Sequence, residues 1–359
     1  MSNSLSVKPL ASQQLSSENF LDQASLLAVQ SLLREGESQN TINSYKSAIH
    51  YCSTWFELRF NQKMQLPISP IHIIQFIADH VLHQTPNGLL CLMPESIDQK
   101  MVDLGCKTQL GSLSLNTVQH RISVLSKIHQ MQGVANPCQD AQVKELLSKT
   151  RKAYAKRGMV AEKKDAITKD TLEAMLATCD DSLKGKRDKA LLLFAWASGG
   201  RRRSELALAN MQFLKKIQTD EYIYWLFQSK TNQSGADRPE NAKPVVGKAG
   251  HALTQWLLAS QITTGPIFRR ILKGGHVAGA LSAAAVRQIV VERCELAGLD
   301  GNFSAHSLRS GFVTEAGKRN IPLGETMAMT GHQSTASVLG YFRTEQNIQS
   351  KVAHLLDDD

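Results

Sequence analysis

Apolar residues recur at helical spacing through most of the first 155 residues. One stretch starts at Asn40, and its apolar positions are Ile42, Tyr45, Ile49, Cys52 and Phe56. Another follows Ser69 and Pro70, a pair typical of a helix N-cap and first helical position. Two more are marked by Leu26, Leu27, Val29, Leu32 and Leu33, and by Val118, Ile122, Leu125 and Ile128. The pattern predicts a helical domain over residues 20–155, preceded by a flexible arm over residues 1–19.

Proline and glycine interrupt the helical pattern between residues 84 and 112. They are Pro86, Gly88, Pro94, Gly105 and Gly111. Because both residue types break regular structure, this segment is predicted to be a long loop with one short helix.

The second half of the chain starts with helices. Thr168 can cap a first helix, and a strongly apolar helix follows over residues 187–196 until Gly199-Gly200 breaks it. Residues 221–228 are rich in aromatic and β-branched side chains and predict a strand.

A partner strand is predicted over residues 243–246, beyond a turn at Gly235 and Pro239. Past Gly250 the pattern predicts helices again, including residues 282–298 and the region from Ser307 onward. The predicted fold class is therefore mainly α with a small antiparallel β-sheet (α+β).

Bulk composition is that of a soluble globular protein with room for two domains. The 359 residues are 42% apolar, without a run long enough to span a membrane and without a signal-peptide h-region at the N-terminus. The six cysteines are scattered without a Cys-x-x-Cys pair, which argues against a disulfide framework or zinc cluster and suits a reducing cytosol. The net charge of +9 is compatible with a nucleic-acid partner.

Basic and imidazole residues precede a tyrosine near the C-terminus. His306-Ser307-Leu308-Arg309 is followed by Gly331-His332, and Tyr341 comes nine residues after the second histidine. Far upstream stands Arg201-Arg202-Arg203. Cutting a phosphodiester without a metal requires guanidinium groups against the non-bridging oxygens, an in-line nucleophile and an acid for the departing oxygen. The spacing therefore predicts phosphate chemistry.

Each of these features has a structural explanation when taken alone. A His-x-x-Arg pair often arises by chance, and an arginine triplet can be an exposed helix start. A single lysine in a hairpin is usually solvated, and a single tyrosine indicates little. Their shared order, spacing and flanking residues make chance a poor explanation.

These segments resemble the signature boxes of the tyrosine recombinases, the phage integrase family. The second box is matched by residues 306–341, with Gly311 after the arginine and Thr330-Gly331-His332 before the tyrosine. The first box, Arg-x-Ser-Glu-Leu, is matched by residues 200–206 in a register that selects Arg202. The resemblance spans roughly residues 25–356. It implies an N-terminal helical core-binding (SAM-like) domain and a C-terminal catalytic domain over residues 167–359.

The resemblance implies that Tyr341 attacks the scissile phosphate to form a 3′-phosphotyrosine and release a 5′-hydroxyl. Arg202 and Arg309 would hold the non-bridging oxygens. Since the energy stays in the covalent bond, no metal and no cofactor are implied.

Three further residues receive roles from the resemblance. Lys230, in Ser229-Lys230-Thr231, matches the family's catalytic lysine and would protonate the leaving oxygen. His306 would act as acid or base near the tyrosine hydroxyl, and His332 would hydrogen-bond the phosphate. Lys243 is the alternative to Lys230 as the acid of the hairpin.

Basic residues crowd the region between residues 149 and 164, where a linker over residues 156–166 is predicted. This linker can be a solvated segment, and it can also lie on the DNA backbone. The two interpretations are compatible. The residues expected to bind DNA are Arg201, Arg203, Arg151, Lys152, Lys156 and Arg157.

Several questions stay open at this stage. A shift of one residue in the first box would move the clamp from Arg202 to Arg201 or Arg203. The apolar stripe after Tyr341, formed by Ile348, Val352, Leu355 and Leu356, can pack in cis or dock on a neighbouring protomer.

The expected partner is double-stranded DNA with a specific inverted-repeat core site, bound by a homotetramer on paired sites, without a membrane. Integration, excision, inversion and resolution remain open, as do accessory proteins. The short arm favours a simple recombinase of a mobile element or replicon, acting in the cytoplasm at the nucleoid. A type IB topoisomerase and a non-catalytic DNA-binding regulator are the rival interpretations.

Overall fold

The computed structural model describes residues 38–159, 164–226 and 241–339, and the chain divides into two compact units. The first unit runs to Ala161 and the second begins at Glu162. Both are mainly helical with short antiparallel strands, which confirms the predicted fold class. None of the described helices combines the length and apolar character that a membrane crossing requires.

The first unit consists of helices and one hairpin. Its helices are α1 (Gln39–Phe60), α2 (Pro70–His80), α3 (Glu95–Asp103), α4 (Leu115–Met131) and α5 (Ala141–Lys156). Its strands are β1 (Leu82–Thr85) and β2 (Gly88–Cys91). Side chains of Ser38, Ser114 and Asp140 accept hydrogen bonds from backbone N–H groups in the first turns of α1, α4 and α5, where helices lack internal partners. Ser69 precedes α2 as predicted, but its side chain makes no capping bond.

Aromatic residues of α1 and α2 form the centre of this unit. Tyr51, Trp55 and Phe56 on α1 and Phe76 on α2 are all buried. The rings of Trp55 and Phe76 meet edge to face, with centroids 5.0 Å apart and planes at 87°. Such a pair contributes about 0.5–1.5 kcal/mol beyond the burial of its area. The apolar stripe predicted from Asn40 therefore faces the core.

A hairpin over residues 82–91 enters the segment predicted to be a long loop, and that prediction was wrong for residues 84–91. Strands β1 and β2 pair antiparallel, with Leu82 opposite Cys91 and Thr85 opposite Gly88. The Thr85 hydroxyl donates to the Gly88 carbonyl over 2.8 Å. Proline and glycine here mark a tight turn rather than irregular chain. Strands of four residues are too short to show an alternating pattern.

The second unit has a larger set of elements. Its helices are α6 (Lys169–Ala177), α7 (Leu183–Ala197), α8 (Arg203–Ala207), α9 (Lys248–Ser260), α10 (Ala283–Leu296), α11 (Ser307–Lys318), α12 (Leu323–Thr330) and α13 (Thr335–Leu339). Its strands are β3 (Leu214–Gln218), β4 (Glu221–Trp225), β5 (Ala242–Val245), β6 (Arg269–Ile271) and β7 (Val277–Ala280). Ser182 and Ser282 cap α7 and α10, while Thr168 precedes α6 without a side-chain capping bond to the backbone.

Helix α7 forms the centre of the second unit. Residues 190–195 are each at most 8% exposed, so the helix is surrounded by protein along its C-terminal half. This burial explains why the sequence shows a continuous apolar run there rather than a stripe. On the neighbouring helix α9, Trp256 is fully buried, and its indole N–H donates to the Ile267 carbonyl over 2.9 Å.

The three-stranded sheet has the order β3-β4-β5 and is antiparallel throughout. Strands β4 and β5 lie where the sequence predicts them, with Tyr222 opposite Val245. Strand β3 and the hairpin β6–β7 were not predicted, and the helical prediction beyond Gly250 was wrong for residues 269–280. These strands are short and mostly exposed, so burial leaves no periodic pattern in them.

A buried ionic cluster joins α7 to α10. Asp188 is fully buried and accepts bonds from Arg293 at 2.7 and 3.0 Å. Its other oxygen lies 2.5 and 2.8 Å from nitrogens of Arg187. Arg293 also donates to the Thr178 carbonyl over 2.6 Å at the end of α6. Asp188 and Arg293 together therefore connect three helices.

Candidate active site

Two glycines bring the first arginine box against the second. Gly199 and Gly200 follow α7 with φ of +90° and +67°, a backbone region that disfavours other residues. A Cβ on Gly200 would lie 2.3 Å from Cα of Arg309, and a Cβ on Gly199 would lie 2.3 Å from the Met329 carbonyl oxygen. Only glycine permits this approach, so the turn sets the distance between the two boxes.

The three consecutive arginines have different surroundings. Arg201 is 2% exposed, and its guanidinium donates to the Met329 carbonyl over 2.7 Å. Arg202 precedes α8, and its side chain is 25% exposed. Arg203 is exposed on the first turn of α8. Arg202 is thus the partly exposed member between a buried arginine and an exposed one.

Glu205 holds Arg202 in place. The Arg202 backbone N–H donates to Glu205 Oε2 over 3.2 Å, and its Nη1 donates to Oε1 over 2.8 Å. Glu205 is itself buried, and Nη1 of Arg201 lies 3.6 Å from its Oε2. A buried carboxylate bonded twice to the same residue restricts the guanidinium far more than an exposed pair would.

Arg309 and His332 are joined by a hydrogen bond. Arg309, on α11, is 1% exposed, and its Nε–H donates to Nε2 of His332 over 3.3 Å. On the other side of the imidazole, Nδ1 lies 2.7 Å from the Thr330 hydroxyl, which itself donates to the Thr326 carbonyl over 2.8 Å. The hydroxyl therefore accepts from Nδ1, and this network assigns the proton to Nδ1 and a lone pair to Nε2.

Both histidines have lowered pKa values. Burial, and after it the positive charges of Arg309 and Arg202, together lower the pKa of His332 to about 4. The pKa of His306 is also lowered, first by desolvation and then by Arg309 and Arg202. His306 is exposed, so solvent screens part of this effect. The neutral imidazoles can accept protons, and an arriving phosphate anion would raise both pKa values by offsetting the arginine charges.

A cavity of about 340 Å³ opens beside these groups. It is lined by Arg202, Arg203, Ser204, Arg287, Ser304, Ala305 and His306. Among the described residues, guanidinium and hydroxyl groups line it and no carboxylate does, so the cavity suits an anion. The structure thus brings Arg202, His306, Arg309 and His332 into one electrostatically coupled site.

Known proteins share this chain's sequence pattern. The model of the phage integrase family matches residues 165–347. An integrase/recombinase xerD homolog from Selenomonas ruminantium is 30% identical over 320 residues, covering 86% of this chain and 83% of that protein. The chain belongs to the phage integrase family. It is a tyrosine recombinase, an enzyme that breaks and rejoins DNA.

Two solved structures share the fold of this recombinase. A lambda integrase dimer bound to a COC′ core site has a TM-score of 0.51 at 16% identity, covering 88% of this chain and 92% of that one. A lambda integrase tetramer bound to a Holliday junction has a TM-score of 0.51 at 16% identity, covering 93% of this chain and 80% of that one.

Two predicted catalytic residues of the recombinase, Lys230 and Tyr341, lie outside the described residues. The alternative acid, Lys243, is 2% exposed on β5, and its ammonium donates to the Ala328 carbonyl over 2.6 Å. A lysine whose ammonium is buried and bonded to a helix carbonyl is poorly placed to donate a proton to the leaving oxygen of the DNA. This contact argues against Lys243 as the acid.

The predicted DNA-binding residues of the recombinase differ in their availability. Arg151, Lys152 and Lys156 are exposed on α5. Arg157 instead donates to the Leu82 carbonyl over 3.0 Å and lies 4.6 Å over the Tyr154 ring, so its guanidinium joins α5 to the hairpin. Arg201 is buried and presents no guanidinium to the surface.

Sequence reasoning missed two contributors to this site. Glu205 is the glutamate of the first box, and its spacing of three residues from Arg202 at a helix start is a signal that could have found its contact with that arginine. Arg287 lines the cavity from α10, and nothing in its sequence surroundings distinguishes it from other exposed arginines.

Proposed function

We propose that this tyrosine recombinase cleaves one strand of a specific duplex site with Tyr341 and rejoins it to a partner strand through a Holliday junction. The convergence of Arg202, His306, Arg309 and His332 carries this proposal. Guanidinium groups beside neutral imidazoles suit a phosphate whose negative charge grows in the transition state.

The proposed chemistry is a reversible transesterification. The Tyr341 hydroxyl oxygen forms a bond to phosphorus, and its proton passes to a neutral imidazole, a role we assign to His306 because its lowered pKa keeps it unprotonated. The bond to the 5′-oxygen breaks, and Lys230 gives that oxygen a proton. Attack by the 5′-hydroxyl of the partner strand reverses the steps and releases Tyr341.

Arg202 and Arg309 hold the non-bridging oxygens in this scheme. His332 reaches the phosphate through Arg309, since its Nε2 accepts from that arginine. When a phosphate arrives and the imidazole becomes protonated, Nε2 turns into a donor and can bond the phosphate directly.

The chain is assigned two DNA-facing domains. Residues 20–155 would bind the core site, and residues 167–359 would catalyse strand cleavage and rejoining. Residues 156–166 would form the linker between these two domains. A homotetramer would pair two inverted-repeat sites, which is supported by the likeness to a lambda integrase tetramer bound to a Holliday junction. The setting would be a mobile element or replicon at the nucleoid, in the cytoplasm.

Covalent trapping tests the proposed nucleophile. Wild-type protein and Tyr341→Phe would each be mixed with sheared DNA of the source organism and quenched with detergent, and protein-linked fragments sequenced. Adducts from the wild type alone, at one inverted repeat, are expected. Adducts scattered without sequence preference would indicate a type IB topoisomerase. Adducts that persist in Tyr341→Phe would overturn the assignment of the nucleophile.

The apolar stripe over residues 348–356 is proposed to dock on a neighbouring protomer. Truncation after Glu345 should then weaken assembly of paired sites more than binding of one protomer to a half-site, as measured by gel shift. Equal loss of both would count against exchange between protomers.

A further inference from the structure

The cavity beside Arg202 holds more positive charge than one scissile phosphate requires. Besides Arg202, the guanidinium groups of Arg203 and Arg287 line its wall. Arg202 is bonded to Glu205, which offsets part of its charge. Among the described residues, neither Arg203 nor Arg287 forms an ion pair.

Two packed helices hold these arginines at the cavity. Arg203 begins α8, and Arg287 lies in the second turn of α10. Val286, Ile289 and Val290 of α10 are buried, so the helix is anchored on one face while Arg287 is exposed on another. Helices α8 and α10 contact each other directly. The two arginines therefore lie on helices that pack against each other within the second unit.

The cavity wall around Arg287 also leaves room for a DNA backbone to come close. Ser282 caps α10, residues 283–285 are three alanines, and Val286 is buried, so no bulky exposed side chain precedes the arginine on its helix. Ser204 and Ser304 add hydroxyl groups to the same cavity. Arginines and hydroxyls without a neighbouring carboxylate form the usual donor set for DNA phosphates.

We propose that Arg203 and Arg287 bind a second phosphate of the cleaved strand, next to the scissile one. Neighbouring phosphates follow one another directly along the backbone of a strand, so a basic wall that extends from Arg202 to Arg203 and Arg287 can contact the phosphate beside the scissile one. The assignment rests on the proposed function, because it takes Arg202 as a ligand of the scissile phosphate. Arg287 is then a positioning residue, which fixes the register of the strand before Tyr341 attacks.

Salt dependence of DNA binding tests the assignment. Full-length Tyr341→Phe protein, with and without Arg287→Gln, would be titrated with the trapped core-site duplex and with an unrelated duplex at several salt concentrations. For the protein that carries Arg287→Gln, the plot of log association constant against log salt concentration should be less steep by about 1, because one fewer phosphate is neutralised. Affinity should fall by the same factor on both duplexes.

Arg319→Gln is the matched control. Arg319 is an exposed arginine of the same unit, but it pairs with Glu315 over 3.0 Å and lines a different groove that shares no residue with this cavity. Its loss should leave the salt slope unchanged. Arg287→Lys should restore most of the slope while restoring less of the adduct rate, since an ammonium lacks the planar fork of a guanidinium.

An uncharged analogue of a single phosphate shows which phosphate Arg287 contacts. A core-site duplex that carries one uncharged methylphosphonate next to the scissile position should bind wild-type protein more weakly than unmodified DNA does. Arg287→Gln protein should bind the modified and the unmodified duplex equally well. An unchanged salt slope in Arg287→Gln, or a loss confined to one base sequence, would overturn the phosphate assignment. Thermal unfolding of each variant distinguishes a folding defect.

The outcomes separate this assignment from the proposed function. Adducts that depend on Tyr341 together with an unchanged Arg287→Gln slope would reject the second phosphate alone. Absence of adducts together with a lowered slope would reject the cleavage scheme and keep a phosphate-binding Arg287.

Discussion

Nε of Arg309 donates a hydrogen bond to Nε2 of His332 over 3.3 Å, so a buried arginine and a neutral imidazole form one unit of the site. The Thr330 hydroxyl fixes the opposite side of the ring. Because Nε2 accepts, protonation of His332 must break the bond to Arg309. The protonation state of His332 therefore controls how both groups meet a phosphate.

Protonation of His332 should be visible near pH 4 in the DNA-free protein. Its pKa is lowered to about 4 by burial and by Arg309, so the folded state binds fewer protons than the unfolded chain between pH 6.5 and 4. This contribution to stability is present above about pH 6.5 and is lost as the pH falls through 4. NMR titration of labelled histidine gives the pKa directly.

Arg309→Gln tests the cause of that shift. Removal of the positive charge should raise the pKa of His332, although burial keeps it below the ordinary value. An unchanged pKa would show that burial alone is responsible. In His332→Gln, the loss of stability between pH 6.5 and 4 should be smaller than in the wild type.

Separate alanine substitutions should give three different results at the arginine triplet. Arg202→Ala should abolish the covalent adduct with little change in unfolding temperature, because this side chain is partly exposed at the cavity. Arg201→Ala should lower the unfolding temperature, because it removes a buried side chain and the bond that this side chain donates to the Met329 carbonyl. Arg203→Ala should mainly weaken DNA binding. Full adduct formation by Arg202→Ala would show that the register is shifted.

Glu205→Gln should slow adduct formation about ten- to hundredfold, since a hydrogen bond to a charged group is worth about 1.5–3 kcal/mol. The amide keeps the shape but loses the charge that holds Arg202. Single-turnover cleavage at saturating DNA measures the effect. Glu315→Gln, which disrupts only the exposed pair with Arg319, should leave the rate unchanged.

Gly200→Ala and Gly298→Ala form a matched pair of backbone tests. Both positions have a positive φ, +67° and +64°, so either alanine costs about 1–2 kcal/mol of stability from the left-handed backbone. Only at Gly200 would the new methyl group meet a neighbour, Cα of Arg309 at 2.3 Å, whereas Gly298 has open space. Urea unfolding should therefore show a larger loss for Gly200→Ala, and adduct formation should fail in that variant alone.

Asp188→Asn should destabilise the second unit by about 3–5 kcal/mol, because it leaves two buried arginine charges without their carboxylate. Equilibrium unfolding in urea, followed by circular dichroism, gives the change. The comparison is Glu292→Gln, which disrupts the exposed pair with Lys184 and should change stability by about 0–1 kcal/mol. Similar losses in both variants would contradict a special role for burial.

Elements with long periodic patterns were predictable, and short exposed ones were not. Helix α7 and the break at Gly199-Gly200 followed from a continuous apolar run and its glycines. The hairpins β1–β2 and β6–β7 have strands of three or four residues, and pairing between strands rather than burial forms them. Hydrogen bonds between backbones leave no trace in side-chain pattern, so these strands escaped prediction.

The sequence by itself determined the chemistry: always-charged arginines, two histidines and a tyrosine at the spacing of the recombinase boxes, within a mainly helical chain. Only the tertiary structure decided which arginine of the triplet is buried against Met329 and which is held by Glu205 at the cavity. It also decided that Arg157 donates a hydrogen bond to the hairpin and that Arg287 lines the same cavity as Arg202. The physical reason is that adjacent residues of a turn differ in direction and burial, and contacts between distant segments depend on how helices pack.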